Sequence, residues 1–331
     1  MQIPYERALQ IFNDIEGKDK CPSLHPSYLL IDAKREASLE PIYFLYEEDG
    51  QIYYHAFHIA SVPNTPFYDI QSPYGYGGPL SSTSDDSFLK RAWNSYRSWC
   101  ISKKILAEFI RFHPILDNSI NYKGEVINDR ETVWINLQTE NLLTQYQTRA
   151  RRKIRKAEEN GLRIEWCSFE EFYSCFPMLY EELLNELDAE QFYHFPKKYY
   201  QEWKTFDKVH FAICKRDTEV LAAAIFYRTE FMMEYHLSAS NRHGKELAAT
   251  SLLLHRAAEL GKQLGCKQLH LGGGTDNTPD NTLFFFKSGF SKERGLFKIG
   301  KYIHLPDAYE QLKQQWEKEN VTGTRRILFY R

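Results

Sequence analysis

The chain has 331 residues, enough for two domains at roughly 150 residues each, and its 43% hydrophobic and 26% charged residues exclude disorder and fibrous structure. No apolar run approaches the roughly 18 residues of a membrane span, and the N-terminal stretch MQIPYERALQIFNDIEGKDK reads as too charged for a secretory signal, so a cytoplasmic location is expected. The net charge of −2 argues against a general nucleic-acid-coating protein, yet residues 1–140 stand at −6 and residues 141–331 at +4.

Residues 42–60 place two β-rich runs around Glu48-Asp49-Gly50, the pattern of a hairpin. From 67 to 86, Tyr, Gly and Pro interleave so densely that a loop with aromatic walls is expected. Ser84 and Asp85 suit the cap of a helix over 86–104, whose Phe88, Leu89, Ala92, Trp93, Tyr96 and Trp99 recur at helical spacing. Strands follow at 105–115 and 131–137. A strongly helical basic segment, 139–160, ends at Gly161 and marks a seam, giving domains 1–140 and 141–331. A helix over 168–187 opens the second half. Residues 209–240 read as a three-strand meander with turns near Arg216-Asp217 and Thr229-Glu230. An amphipathic helix over 245–265, a strand at 267–273, a short helix at 280–288 and a strand pair within 290–305 complete the chain. Both halves thus run meander, helix, strand, short connection, strand. A duplicated unit is expected, in the α/β (α+β) class, each copy a mixed, largely antiparallel sheet flanked by helices.

The six cysteines are scattered without a CxxC pair, so neither a disulfide framework nor a metal site is expected. No GxGxxG, P-loop or HExxH is present. Aromatic residues reach 15%, and Tyr often lines clefts for polar ligands. Arg149, Arg151, Arg152, Lys153, Arg155 and Lys156 crowd one short stretch. Like charges at i, i+4 repel by a few tenths of a kcal/mol, a cost that a bridging polyphosphate or RNA would relieve; a solvated helix face is the plainer reading. LHLGGG (269–274) ends a strand in three glycines, where either a turn or a close-lying ligand is served by the missing Cβ. In FFFKSGF (284–290), Lys287 stands in an aromatic run, either desolvated or reaching water along its stem.

ARRKIRKAEENG (150–161), LHLGGG (269–274) and NTLFFFKSGFS (281–291), in that order, resemble the FemABX group of peptidyl and aminoacyl transferases and the related BioF2-like acyltransferases of the GNAT superfamily. In the first half the resemblance rests on YGYGGPL (74–80), similar to that family's Gly-Pro loop but with Gly77 where many members carry Arg. It implies two tandem GNAT-like domains, the first on the acceptor side, and transfer of an activated acyl or aminoacyl group to an amine of a cell-wall (peptidoglycan), polysaccharide or nucleotide-sugar precursor. The family's Phe-Lys pair at the transfer site matches Phe286 and Lys287. There a fixed cation would stabilise the oxyanion and Phe286 would exclude water. Substrate contacts are expected from Tyr74, Tyr76, Gly78, Arg152, Lys153, Lys156, Gly273, Gly274 and Asp276, with Asp69, Asp86 and Asp276 as candidate proton acceptors.

No tightly bound cofactor is implied; the donor is aminoacyl-tRNA or acyl-CoA. The stretch Asn241-Arg242-His243-Gly244-Lys245-Glu246 departs from the diphosphate loop of acetyl-CoA enzymes, keeping one glycine and adding a repelling Glu246. That favours the tRNA donor, with the basic helix as its surface. An amine-bearing acceptor, contact with a lipid-linked substrate and no DNA partner are expected. An acyl-CoA-dependent N-acyltransferase acting on an amino sugar, and a non-catalytic glycan- or RNA-binding module, stand as the alternatives.

Overall fold

The computed structural model describes residues 1–15, 20–278, 280–320 and 326–331. In chain order the first part holds β1 (Gln2–Ile3), α1 (Tyr5–Asp14), α2 (Pro26–Asp32), β2 (Glu40–Glu48), β3 (Gln51–Ser61), β4 (Tyr68–Gln71), β5 (Leu80–Ser81), α3 (Asp86–Ser102), β6 (Ile105–Phe112) and β7 (Glu125–Asn136). Then come α4 (Thr148–Glu159), β8 (Arg163–Cys167), α5 (Phe169–Glu186), α6 (Lys197–Glu202), β9 (Val209–Arg216), β10 (Glu219–Arg228) and β11 (Met232–Ser240). The last stretch holds α7 (Arg242–Glu246), α8 (Ala249–Gln263), β12 (Gln268–Gly273), α9 (Thr282–Ser288), β13 (Arg294–Ile303) and α10 (Pro306–Glu319).

These elements form two compact units. The first takes Ser23–Asp129 with the N-terminal helix and Leu296–Arg331; the second takes Lys20–Pro22 and Arg130–Gly295. The division expected at 140/141 is therefore not the one the contacts make, because the chain returns to the first unit at Leu296. The cause is strand pairing. Only one strand, β13, lies in the segment where a strand pair is expected, and it pairs antiparallel with β6 from Lys298↔Phe112 to Ile303↔Ala107. Within the second unit, β7 pairs antiparallel with β12.

The two units share one sheet plan. In the first, β2, β3 and β4 are antiparallel neighbours, β4 lies parallel to β6, and β13 closes the series. In the second, β9, β10 and β11 are antiparallel, β11 lies parallel to β12, and β7 closes it. A parallel pair needs a crossover connection, supplied by α3 in one unit and α8 in the other.

Local chemistry sets the ends of these elements. Asp85, not Ser84, caps α3 by accepting from Phe88 N at 2.8 Å, and Ser168 and Glu171 form a capping box on α5. The segment at 67–86 is not all loop: β4 and β5 lie inside it. The helix expected over 245–265 is broken, since Ala248 takes a left-handed φ of 62° between α7 and α8. The basic helix begins only at Thr148 and buries Ala150, Ile154 and Ala157, a spacing of four and three that turns its cations outward. Much of the aromatic surplus is structural. Phe172 stacks on Phe176, Phe176 on Tyr180, Tyr180 on Phe195 and Phe195 on Tyr199, at 4.5, 5.4, 6.2 and 4.5 Å between centroids, joining α5 to the α6 region.

Candidate active site

In the second unit the parallel strands β11 and β12 pair only at Met232↔Gln268, Met233↔Leu269 and Glu234↔His270. Beyond that point β11 continues to Ser240 and β12 to Gly273 without pairing to each other, so the two strands fork. Both carry register shifts at the fork. His236 is extra in β11 relative to β10, and Leu271 is extra in β12 relative to β7. Such bulges bend strands and re-aim side chains. The strand edges facing the gap can receive an extended ligand, which would supply the hydrogen bonds a neighbouring strand otherwise would.

Lys287 is set at this fork by α9. Asn281 caps that helix, its Oδ1 accepting from Phe284 N at 2.9 Å while its Nδ2 donates to Thr275 Oγ1 at 2.8 Å. Lys287 Nζ donates to the carbonyl of Gly273 on β12 at 2.8 Å and lies 5.9 Å from the ring centroid of Tyr235 on β11. The side chain is 8% exposed and makes no ion pair with a carboxylate among the described residues. Burial alone drives its pKa down to about 7, because a low-dielectric setting without a counter-charge disfavours the ammonium. Amine and ammonium forms are thus of comparable population at neutral pH. Beside the fixed cation expected from the sequence, a group with this pKa can also take up a proton.

Phe286 packs edge-on against Phe290 at 5.5 Å, with the Lys153 ammonium 5.7 Å from its centroid. Successive helical side chains diverge by about 100°, and these contacts fasten α9 through Phe286. Arg149 lies 3.8 Å from the Phe285 centroid and donates to Phe285 O at 2.7 Å and Ser288 Oγ at 2.8 Å. Arg151 donates to the carbonyls of Tyr146 and Leu143. Protein oxygens therefore relieve two of the six crowded cations. Arg152, Arg155 and Lys156 are exposed, and their side chains have no hydrogen bond or ion pair among the described residues.

Gly273 and Gly274 serve close packing. A Cβ on Gly274 would sit 2.2 Å from Asn281 Oδ1, and one on Gly273 would sit 2.9 Å from Glu131 O. Gly274→Ala should displace the Asn281 cap, worth about 1 kcal/mol, and shift α9 with Lys287. A misplacement near 1 Å can lower turnover on the order of 10²-fold. The expected result is a large fall in kcat with the circular dichroism spectrum retained; unchanged kcat would show that Lys287 tolerates the shift.

The expected proton acceptors are committed elsewhere. Asp276 accepts from Thr278 N at 2.8 Å and also from the Thr278 hydroxyl, bonds that hold its pKa down to about 2. So low a pKa makes it a poor base at neutral pH. In the first unit, burial pushes Asp69 up to about 6 although Arg331 Nε donates to it at 2.6 Å. Asp86 lies between Lys90 and Lys123, whose hydrogen bonds bring it down to about 2.

The Gly-Pro loop of the first unit is pinned along its backbone. Tyr74 N donates to Asp32 Oδ2 at 3.1 Å and Tyr74 O accepts from Tyr28 OH at 2.5 Å. Gly77 N donates to Arg111 O at 2.7 Å, while Asn118 Nδ2 and Asn121 Nδ2 donate to Gly77 O and Pro79 O at 2.9 and 3.2 Å. Gly78 has φ +95°, and a Cβ there would fall 2.6 Å from Phe112. Tyr76 is half-buried, edge-on to His113 and Phe297. A buried trio in this unit, Cys100, Glu108 and His304, brings three potential metal-ligand atoms within 4.8 Å of one another. Protein donors already serve it: Glu108 accepts from Tyr96 and Tyr122 hydroxyls at 2.6 Å each, and His304 Nε2 lies 3.2 Å away.

The segment before α8 is built as a helical turn. Asn241 Oδ1 takes the Gly244 N–H at 2.7 Å, and a Cβ on Gly244 would lie 2.2 Å from Leu221 O, so packing explains that glycine. His243, Arg242 and Lys245 pair with Glu219, Glu246 and Glu186. Sequence reasoning missed Tyr235, Asn281 and His236, whose Nε2 is 2.6 Å from Tyr199 OH. Asn281 was legible as a cap signal ahead of Thr282; Tyr235 and His236 carry no local signal, because the fork arises from pairing between distant segments.

The family model described as an acetyltransferase (GNAT) domain matches residues 144–285. Among solved structures, FemX aligns with a TM-score of 0.73 at 14% identity, covering 94% of this chain and 98% of that one. The C-terminal domain of a putative lysylphosphatidylglycerol synthetase from Agrobacterium fabrum aligns at TM-score 0.60 and 11% identity, covering 95% and 97%. L-PGS from Bacillus licheniformis aligns at TM-score 0.56 and 15% identity, covering 89% and 91%. No curated protein matches the sequence. At such identities the likeness to the solved structures is one of fold: a FemABX-like GNAT fold.

Proposed function

We propose that this chain, an acyltransferase with a FemABX-like GNAT fold, moves an aminoacyl group from a tRNA ester to the amine of a cell-wall, polysaccharide or nucleotide-sugar precursor. The observation that carries the reading is Lys287, buried without a counter-charge and set across the β11/β12 fork by its bond to Gly273 O. An acyl carbonyl in the fork would meet the attacking amine there. The amine nitrogen bonds to the carbonyl carbon, Lys287 in its neutral form takes the proton the nitrogen sheds, and the resulting ammonium faces the oxyanion. Collapse breaks the bond between acyl carbon and ester oxygen, the proton passes to the leaving oxygen, and an amide and a free hydroxyl result. Lys287 ends as it began.

The tRNA donor is supported by the distribution of cations. Those of α7 are paired with carboxylates and its glycine N–H is taken, whereas Arg152, Arg155 and Lys156 on α4 have no partner among the described residues. The fork itself suits an extended acyl carrier as well, which keeps acyl-CoA as the second reading. Purified protein should discharge aminoacyl-tRNA in the presence of an amine acceptor and gain no thermal stability from CoA or acetyl-CoA. Stabilisation by acetyl-CoA without RNA binding would reverse the donor assignment, a Lys287→Met variant with full transfer activity would remove Lys287 from the reaction, and a wild-type protein that transfers nothing from any donor would favour a binding module.

A further inference from the structure

We infer that the first unit carries a binding site for a neutral, polyhydroxylated ring, in the cavity formed where the β5–α3 connection meets the turn at 116–121. The cavity measures about 200 Å³ and lies between Ser81–Ser84 and residues Leu116–Asn121. Drug-sized ligands take about 300–1,000 Å³, so this space admits one small ring and not a nucleotide. Its position is fixed by the same side chains that hold the Gly-Pro loop. Asn121 uses its Nδ2 on Pro79 O, while its Oδ1 accepts no hydrogen bond among the described residues although the residue is only 8% exposed. Its amide oxygen is therefore available to a ligand that donates, and in the same lining the buried Oδ1 of Asn118 has no hydrogen-bond partner, a costly state that a donating ligand would relieve.

The rest of the lining points the same way. Leu80 and Leu116 are buried apolar groups, and Ile120, 55% exposed, offers an apolar contact of the kind the C–H face of a saturated ring can cover. Ser84 brings an exposed hydroxyl without a partner among the described residues, and Asp117 brings a carboxylate. Lys298 reaches Asp117 Oδ1 at 2.7 Å and is spent there. With no unpaired cation in its lining, the cavity disfavours phosphate and carboxylate; hydroxyl groups satisfy its amide and carboxylate oxygens. On the reading of the first unit as the acceptor side, the ring would be a sugar of the acceptor. The inference rests on that reading for the ligand's role only.

Binding can be measured without a donor. The ¹⁵N-labelled full chain is titrated with glucose, N-acetylglucosamine, glucosamine and inorganic phosphate while amide shifts are followed. The expected result is saturable shifts from at least one neutral sugar, confined to 81–84 and 116–121, with none from phosphate. Asn121→Leu should weaken binding at least about tenfold. Ile120→Asp, on an exposed side chain that folding does not need, should do the same. Failure of every neutral sugar, binding of phosphate at these residues, or binding of glucosamine alone would overturn the inference. Sugar binding without transfer activity would instead count against the proposed function alone, and transfer without sugar binding against this site alone.

Discussion

Lys287→Met should lower aminoacyl transfer by about 10²–10³-fold and at the same time make the protein more stable at pH 6. The folded-state pKa of about 7 lies below the ordinary 10.5. Between those values the unfolded chain binds more protons than the folded one, so wild-type stability rises with pH across that window. Below about pH 7 the cost of holding an uncompensated ammonium is fully present, on the order of 5 kcal/mol at about 1.4 kcal/mol per pH unit. Methionine removes that cost and loses the bond to Gly273 O, worth about 1 kcal/mol. Denaturant melts at pH 6 and pH 10 should therefore show a gain of several kcal/mol that shrinks to nothing or reverses. In wild type, kcat/KM should rise with pH through about 7 as Lys287 loses its proton. Lys287→Arg keeps a cation but gives up proton transfer, since guanidinium does not titrate in this range, and should flatten that limb. A wild-type profile without a step near pH 7, or Lys287→Arg with full activity, would return Lys287 to the role of a fixed cation.

The lysine, the glycines and the basic run were legible as residues because their chemistry is local: six cations in one stretch, three glycines ending a strand, a lysine among phenylalanines. The meander at 209–240 and the hairpin at 42–60 were legible too, since alternation and turn residues act over a few positions. Partners were not. β13 reads like half of a local strand pair, and only its register with β6 reveals that the chain returns to the first unit. Ala248 looks like any helical alanine, yet its left-handed backbone splits the helix between α7 and α8. The same limit governed the site. An aspartate in sequence is a candidate base, and only the donors around Asp276 and Asp86 show that their carboxylates are too stabilised to draw a proton well at neutral pH. The lowered pKa of Lys287 required knowing that no carboxylate pairs with it.

Replacing Arg152, Arg155 and Lys156 together by Glu should raise KM for aminoacyl-tRNA by about 100-fold or more while leaving the fold intact. The three side chains are exposed and partnerless among the described residues, and the buried stripe of Ala150, Ile154 and Ala157 that seats α4 is untouched. Glu158 remains bound to Arg256. Each phosphate contact contributes about −0.7 to −0.9 to the slope of log K against log salt, so loss of three contacts should flatten that slope by about 2 to 3. A short aminoacyl-nucleotide ester lacking the tRNA body makes the control. Its turnover should be nearly unchanged by the triple replacement yet still abolished by Lys287→Met, because the proposed function gives the phosphate contacts to α4 and the reacting carbonyl to Lys287 on α9. If both donors suffer alike, the cations of α4 act on the fork itself through Arg149, Phe285 and α9. If neither suffers, and RNA affinity is indifferent to salt, the helix face is merely solvated and the donor is held elsewhere.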